Sequence, residues 1–153
     1  MIGLLQRVTM ASVMVAQQTI AHINQGLVIL IGIERSDTKL QADRLLHRLL
    51  NYRVFADNEG KMNLSLIDIQ GGLLLVPQFT LPADTHKGNR PSFTPAAPPQ
   101  QGEKLFNYLC TQAQAQYPKV AVGQFGAMMQ VSLVNDGPVT FWLQVNPLNS
   151  SFR

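Results

Sequence analysis

An α+β fold with a largely antiparallel, barrel-like β-sheet and two main helices is what this sequence predicts, and three observations predict it. Most of the chain consists of short runs of aliphatic and β-branched residues, punctuated by turn signals such as Asn24-Gln25-Gly26 and Asp57-Asn58-Glu59-Gly60. Two segments carry apolar residues at helical spacing. Several strands follow one another directly, as hairpins do. A chain of 153 residues suits one domain with a sizeable core. We expect that domain over 1–145, followed by a short tail over 146–153.

Leu5, Arg7, Thr9 and Ser12 to Val15 alternate imperfectly, which predicts a bent edge strand. Thr19 to Ile23 reads as a short return strand and Leu27 to Ile33 as a buried one. Ser36-Asp37 supplies an N-cap for the first helix. In it Leu40, Leu45, Leu46, Leu49 and Leu50 form the apolar stripe, with Arg44, His47 and Arg48 outside. Tyr52 to Phe55 and Gly72 to Val76 are further strands. Residues 82–100, rich in Pro and Gly, form a long loop of the kind that is functional or mobile. The second helix runs from about Gln100 to Gln116, with Leu105, Phe106, Leu109 and Ala113 inward and Pro118 after it. Met129–Val134 and Val139–Val145 are strands joined by a hairpin turn at Asp136-Gly137.

Composition narrows the function. Apolar residues make up 46% and charged residues 14%, so part of the surface is expected to be covered by a second copy. The net charge of +3 argues against wrapping long DNA and permits contact with a few phosphates. The one cysteine, Cys110, points to a reducing cytoplasm, and no apolar run approaches the length of a membrane span. Phosphate-binding, dinucleotide and zinc-protease motifs are absent, and His22, His47 and His86 stand in unrelated contexts, so neither a metal nor a cofactor is expected.

Two segments stand out. Gln78-Phe79-Thr80-Leu81 ends a buried strand, where polar groups face a cleft. Thr80 as a nucleophile needs a base that the sequence does not assign, and a hydroxyl bonded to nearby backbone is the simpler reading. Gln78 can hold a ligand or face water, and Phe79 is core or a hydrophobic wall. Lys87 and Arg90, in the long loop, could meet phosphates or merely be solvated. In Asn135-Asp136-Gly137-Pro138-Val139-Thr140 the Gly-Pro bond is of the type that can be held cis at a cost of only ~0.5–1 kcal/mol.

Pro77-Gln78-Phe79-Thr80-Leu81 and Asn135-Asp136-Gly137-Pro138-Val139-Thr140 together resemble the paired signature motifs of D-aminoacyl-tRNA deacylases. Gln6-Arg7-Val8, Ala11-Ser12-Val13, Gly60-Lys61-Met62-Asn63 and Gly88-Asn89-Arg90-Pro91-Ser92-Phe93 extend the resemblance in order, from Met1 to about Val145. One position departs: the family usually has Ser where this chain has Pro77, which lacks both the hydroxyl and an N–H.

The resemblance implies a homodimer that hydrolyses the ester between a D-amino acid and the 3′ end of tRNA. It implies that Gly137 and Pro138 form a Gly-cisPro gauge reaching into the partner's site. Gln78, Phe79 and Thr80 then floor the catalytic pocket, Arg7 holds the Gly-Pro turn, and Phe125 and Met129 line the pocket for the terminal adenine. Lys87 and Arg90 are candidates for the tRNA backbone. A gauge made of backbone would reject L side chains by collision and would pass glycine. The rival reading is a dimer that binds tRNA acceptor ends without turnover.

Overall fold

Strand β3 (Gly26–Gly32) explains the architecture, because it is buried on both faces. Leu27, Ile29 and Ile31 point to one apolar cluster, which they share with the helices. Val28 points to the other, inside the curled sheet, with Val8, Val13, Ile23, Leu74 and Val76. A strand covered on both sides reads as a continuous apolar run, as this one does.

The computed structural model describes residues 1–147. The fold is α+β: a nearly closed, barrel-like mixed sheet with three helices. Strand β1 (Ile2–Val15) pairs antiparallel with β3 along its first half and with β2 (Gln18–Ile23) along its second. It is therefore a central strand and not the edge strand expected. Beyond β3 lie β6 (Gly72–Pro77) and β7 (Val120–Val122), both joined in parallel. The sheet is mixed for that reason: helix α1 (Lys39–Asn51) crosses between β3 and β6, and α3 (Pro99–Gln116) between β6 and β7. Crossovers of this kind return a strand parallel. A small hairpin, β4 (Phe55–Ala56) and β5 (Met62–Leu64), closes through the predicted turn at Asp57–Gly60.

Both predicted helices are present, with Leu45, Leu46, Leu49 and Leu50 of α1 facing Leu105, Phe106, Leu109 and Ala113 of α3 in one cluster. Leu40 is exposed and contributes little to it. The N-cap of α1 is Thr38, in a capping box with Gln41, and not Ser36-Asp37. Asp37 is instead buried, accepting from the Met1 ammonium at 2.6 Å and from the Glu34 N–H at 2.7 Å. Desolvation pushes its carboxyl pKa up, and the ammonium opposes that. A third helix, the single turn α2 (Leu66–Ile69), is held by Ser65 and Asp68 and is too short to show as periodicity.

The largest revision concerns the C-terminal strands. No hairpin forms there: Gln130–Gln144 is one strand, β8, antiparallel to β1 on both sides of Gly137. Among the described residues β8 pairs with β1 alone, so its other edge is open, and Val134, Phe141 and Trp142 are exposed along it. Of the expected tail, residues 148–153 lie outside the described residues. Among the described residues no helix is long and apolar enough to cross a membrane.

Candidate active site

The β1–β8 ladder breaks at two places, between Val8 and Ala11 and, with the larger excess of chain, at Arg7. Gln6 is opposite Thr140 and Val8 opposite Asn135, so four residues of β8, 136–139, face Arg7 alone. The excess chain bulges outward and exposes Gly137 and Pro138. Their peptide bond is cis, and Gly137 has φ +124°. Arg7 fixes the bulge from beneath. Its Nε donates to the Asp136 carbonyl at 3.1 Å and its Nη1 to the Val54 carbonyl at 2.7 Å. The Asp136 carboxylate lies 3.5 Å from Nε. Asn135 closes the bulge from above, accepting from the Val139 N–H at 3.1 Å and donating to the Thr140 hydroxyl at 2.9 Å. The motif marks Asn135, but the sequence alone does not show that its side chain spans the bulge.

The second segment follows β6. The Gln78 N–H donates to the Ile31 carbonyl and continues the parallel ladder, after which the chain turns through Thr80. Gln78 Nε2 donates to Thr80 Oγ1 at 3.0 Å. Among the described residues the N–H groups of Phe79 and Thr80 have no intramolecular acceptor. No carboxylate or imidazole of those residues hydrogen-bonds Thr80 either. Phe79 is 61% exposed and packs against Phe93, ring centroids 5.1 Å apart. It is a wall, not core. Phe93 in turn anchors the long loop, which the mutual backbone bonds of Asp84 and Ser92 pinch into a compact lobe. Lys87 and Arg90 are exposed in that lobe, and neither makes an ion pair among the described residues. His86 pairs at the surface with Asp84, whose carboxyl the His86 backbone and ring hold below the usual range.

Met129 lies near the same strand end, and Phe125 packs against α3. Gly123 donates to the Leu75 carbonyl beside Pro77, and Met129 lies against Gly123. Phe125 leans on Phe106 of α3, with centroids 6.2 Å apart. The structure thus gathers Gln78, Phe79, Thr80, Met129 and the Lys87–Arg90 lobe at the end of β6.

Gly137 is not among them. Arg7, which faces the bulge, is level with Leu27, and Gln78 bonds to Ile31. The offset is four residues along the strands, ~13 Å, and three strands across the sheet. Within one chain the two motifs do not meet.

The profile of the D-Tyr-tRNA(Tyr) deacylase family matches residues 4–144, nearly the whole described chain. The chain belongs to this family of deacylases. Among its relatives, the D-aminoacyl-tRNA deacylase of Nitrosococcus oceani is 65% identical, over 96% of this chain and 95% of that one. A D-aminoacyl-tRNA deacylase of Pseudomonas putida is 64% identical, over 94% and 99%. A solved structure named c-Myc DNA Unwinding Element Binding Protein superposes with a TM-score of 0.92 at 40% identity, covering 96% of this chain and all (100%) of that one. A second, described as a probable eukaryotic D-amino acid tRNA deacylase, shares the fold, with a TM-score of 0.78 at 18% identity over 94% and 98% of the two chains.

Proposed function

We propose that this deacylase is a cytoplasmic homodimer that hydrolyses the ester of D-aminoacyl-tRNA, releasing the D-amino acid and tRNA, with each subunit's Gly137-Pro138 gauging the substrate in its partner's site. The separation of the two motifs carries the reading. Among the described residues the bulge, exposed and clamped by Arg7 and Asn135, meets nothing at the Thr80 end of the sheet, and Phe79 there stands exposed. A second copy supplies both needs at once. The open edge of β8, with Val134, Phe141 and Trp142 exposed, is the sort of edge that proteins cover.

In this arrangement the backbone carbonyls of the bulge receive the substrate's α-amino group. The D side chain leaves through the one open direction, and an L side chain collides with main chain, which has no rotamer to yield. Glycyl-tRNA, with no side chain to reject, passes. Phe125 and Met129 hold the terminal adenine, and Lys87 and Arg90 meet nearby phosphates. As water adds to the ester carbonyl, the free N–H groups of Phe79 and Thr80 stabilise the oxyanion. The substrate's own 2′-hydroxyl takes the proton of that water while passing its own to the departing 3′-oxygen, so that the intermediate collapses to free D-amino acid and tRNA. The Thr80 hydroxyl accepts from the Gln78 amide and has no base beside it among the described residues, so its role is support. Thr80→Ala therefore costs about tenfold in kcat or less, the worth of one hydrogen bond. Loss of all turnover with tRNA binding intact would make Thr80 the nucleophile.

The direct test is hydrolysis of matched D- and L-tyrosyl-tRNA by the purified protein without added metal. The D ester is lost and the L ester spared. Binding of tRNA with turnover of neither ester overturns the proposal in favour of a binding dimer. One solved relative is named for binding a DNA unwinding element, so DNA is included as a competitor of tRNA in the same binding assay.

A further inference from the structure

Helix α1 turns a basic face outward that the proposed chemistry leaves unused. Arg44 and His47 are exposed on it, and neither makes an ion pair or hydrogen bond through its side chain among the described residues. They line a groove of about 500 Å³ between α1 and the end of β8, with Arg48, Gln144 and Val145 on its other walls. Arg48 is half-buried and positioned: it donates to the Gln144 carbonyl at 3.4 Å and stacks over the Tyr52 ring at 5.7 Å. Tyr52 meets the Phe141 ring edge-on at 5.8 Å. Asp43, the carboxylate lining the groove, accepts from the Tyr108 hydroxyl at 2.8 Å.

The strip does not end there. After Tyr52 comes the exposed Arg53, and then Val54, whose carbonyl holds Arg7 under the Gly137 bulge. The strip therefore leads along the chain from the groove to the base of the bulge, while Arg53 itself also lies close enough to Asp68 to help hold that carboxyl pKa down. Guanidinium groups suit phosphate oxygens, and α1, with 13 residues, is ~20 Å long, the span of several phosphates on one strand.

We propose that this strip is the docking surface for the acceptor-stem backbone of the tRNA whose 3′ end lies in the partner's site. The inference rests on the deacylase reading above and adds which face of the protein carries the stem. It is contact with backbone, so it is blind to stem sequence.

The test pairs two substrates. D-tyrosyl-tRNA has the stem, and 3′-O-D-tyrosyl-adenosine does not. In Arg44→Glu/His47→Glu, two exposed positions, KM for the tRNA ester rises about tenfold at low salt with kcat unchanged, and the slope of log KM against log salt falls by about one. Activity on the adenosine ester stays within about twofold of the unaltered protein. Arg48→Gln, which keeps an amide for the Gln144 carbonyl, shows the same split in smaller measure. An unchanged KM and salt slope for the tRNA ester overturns the proposal, and so does an equal loss on both substrates. If the unaltered protein hydrolyses neither ester, the deacylase reading falls by itself. The strip is then judged on uncharged tRNA: weaker, less salt-sensitive binding by the double variant supports it, and equal binding overturns it.

Discussion

Gly137→Ala is expected to lower kcat/KM on D-aminoacyl-tRNA by at least about 100-fold, the scale of a misplacement of ~1 Å in a positioning element. The backbone there has φ +124°, which L residues rarely adopt. A Cβ would lie 2.8 Å from Val139 Cγ2, 3.0 Å from Arg7 Nη2 and 3.3 Å from Val139 N. The side chain of Val139 is buried and Arg7 is held by two carbonyls, so neither has room to retreat. The bulge itself must move, and with it the carbonyls that receive the substrate. Because Gly137 is exposed, the cost in stability stays near 1–3 kcal/mol, and the fold survives. Kinetics with D and L esters, beside a thermal melt, separate the two effects. Full activity and unchanged selectivity in this variant would rule out the backbone gauge.

Arg7→Ala is expected to fall almost as far in activity and further in stability. It removes both donors from the Asp136 and Val54 carbonyls and the cation beside the Asp136 carboxylate. The Arg7 side chain is 15% exposed, so water only partly replaces what is lost. Charged hydrogen bonds of this kind are worth ~1.5–3 kcal/mol each, and about 2–4 kcal/mol for the pair is expected from the denaturation midpoint. Without them the bulge loses its floor, and kcat/KM drops by about 100-fold. Arg7→Lys keeps the charge but is a single point, unable to serve two carbonyls set apart, and it does not restore activity. Recovery by lysine would show that charge alone is needed at this place.

What could be read in advance, and what could not, follows from range. The leucines of α1 and α3 declared their helices, because a helix is a local object and its buried stripe repeats within one turn. The apolar run of β3 declared a buried strand for the same reason. Asn135-Asp136-Gly137 is a true signal that the chain bends, yet it misled about the result. The ladder to β1 resumes at Thr140, and the bend is a bulge within one strand. A turn motif reports local dihedral preference, and whether the chain reverses depends on the strand waiting on the far side. The broken alternation of β1 suggests an edge strand, yet the bulges that break it arise from pairing with β8 and β2.

For the site, both motifs were visible as strings, together with the family they resemble. Their separation was not visible, nor was the fact that Phe93 docks on Phe79 and so brings the loop of Lys87 and Arg90 to the cleft. The two long helices, most strands and both motifs are legible in the chain, since each is written in residues near one another, whereas the single turn of α2 is not. The parallel joining of β6 and β7, the run of β8 past Gly137 and the distance from Gly137 to Thr80 emerge from packing alone. The physical reason is that strand order and register are chosen by burying two-faced strands against distant partners, a competition over the whole chain that no single segment records.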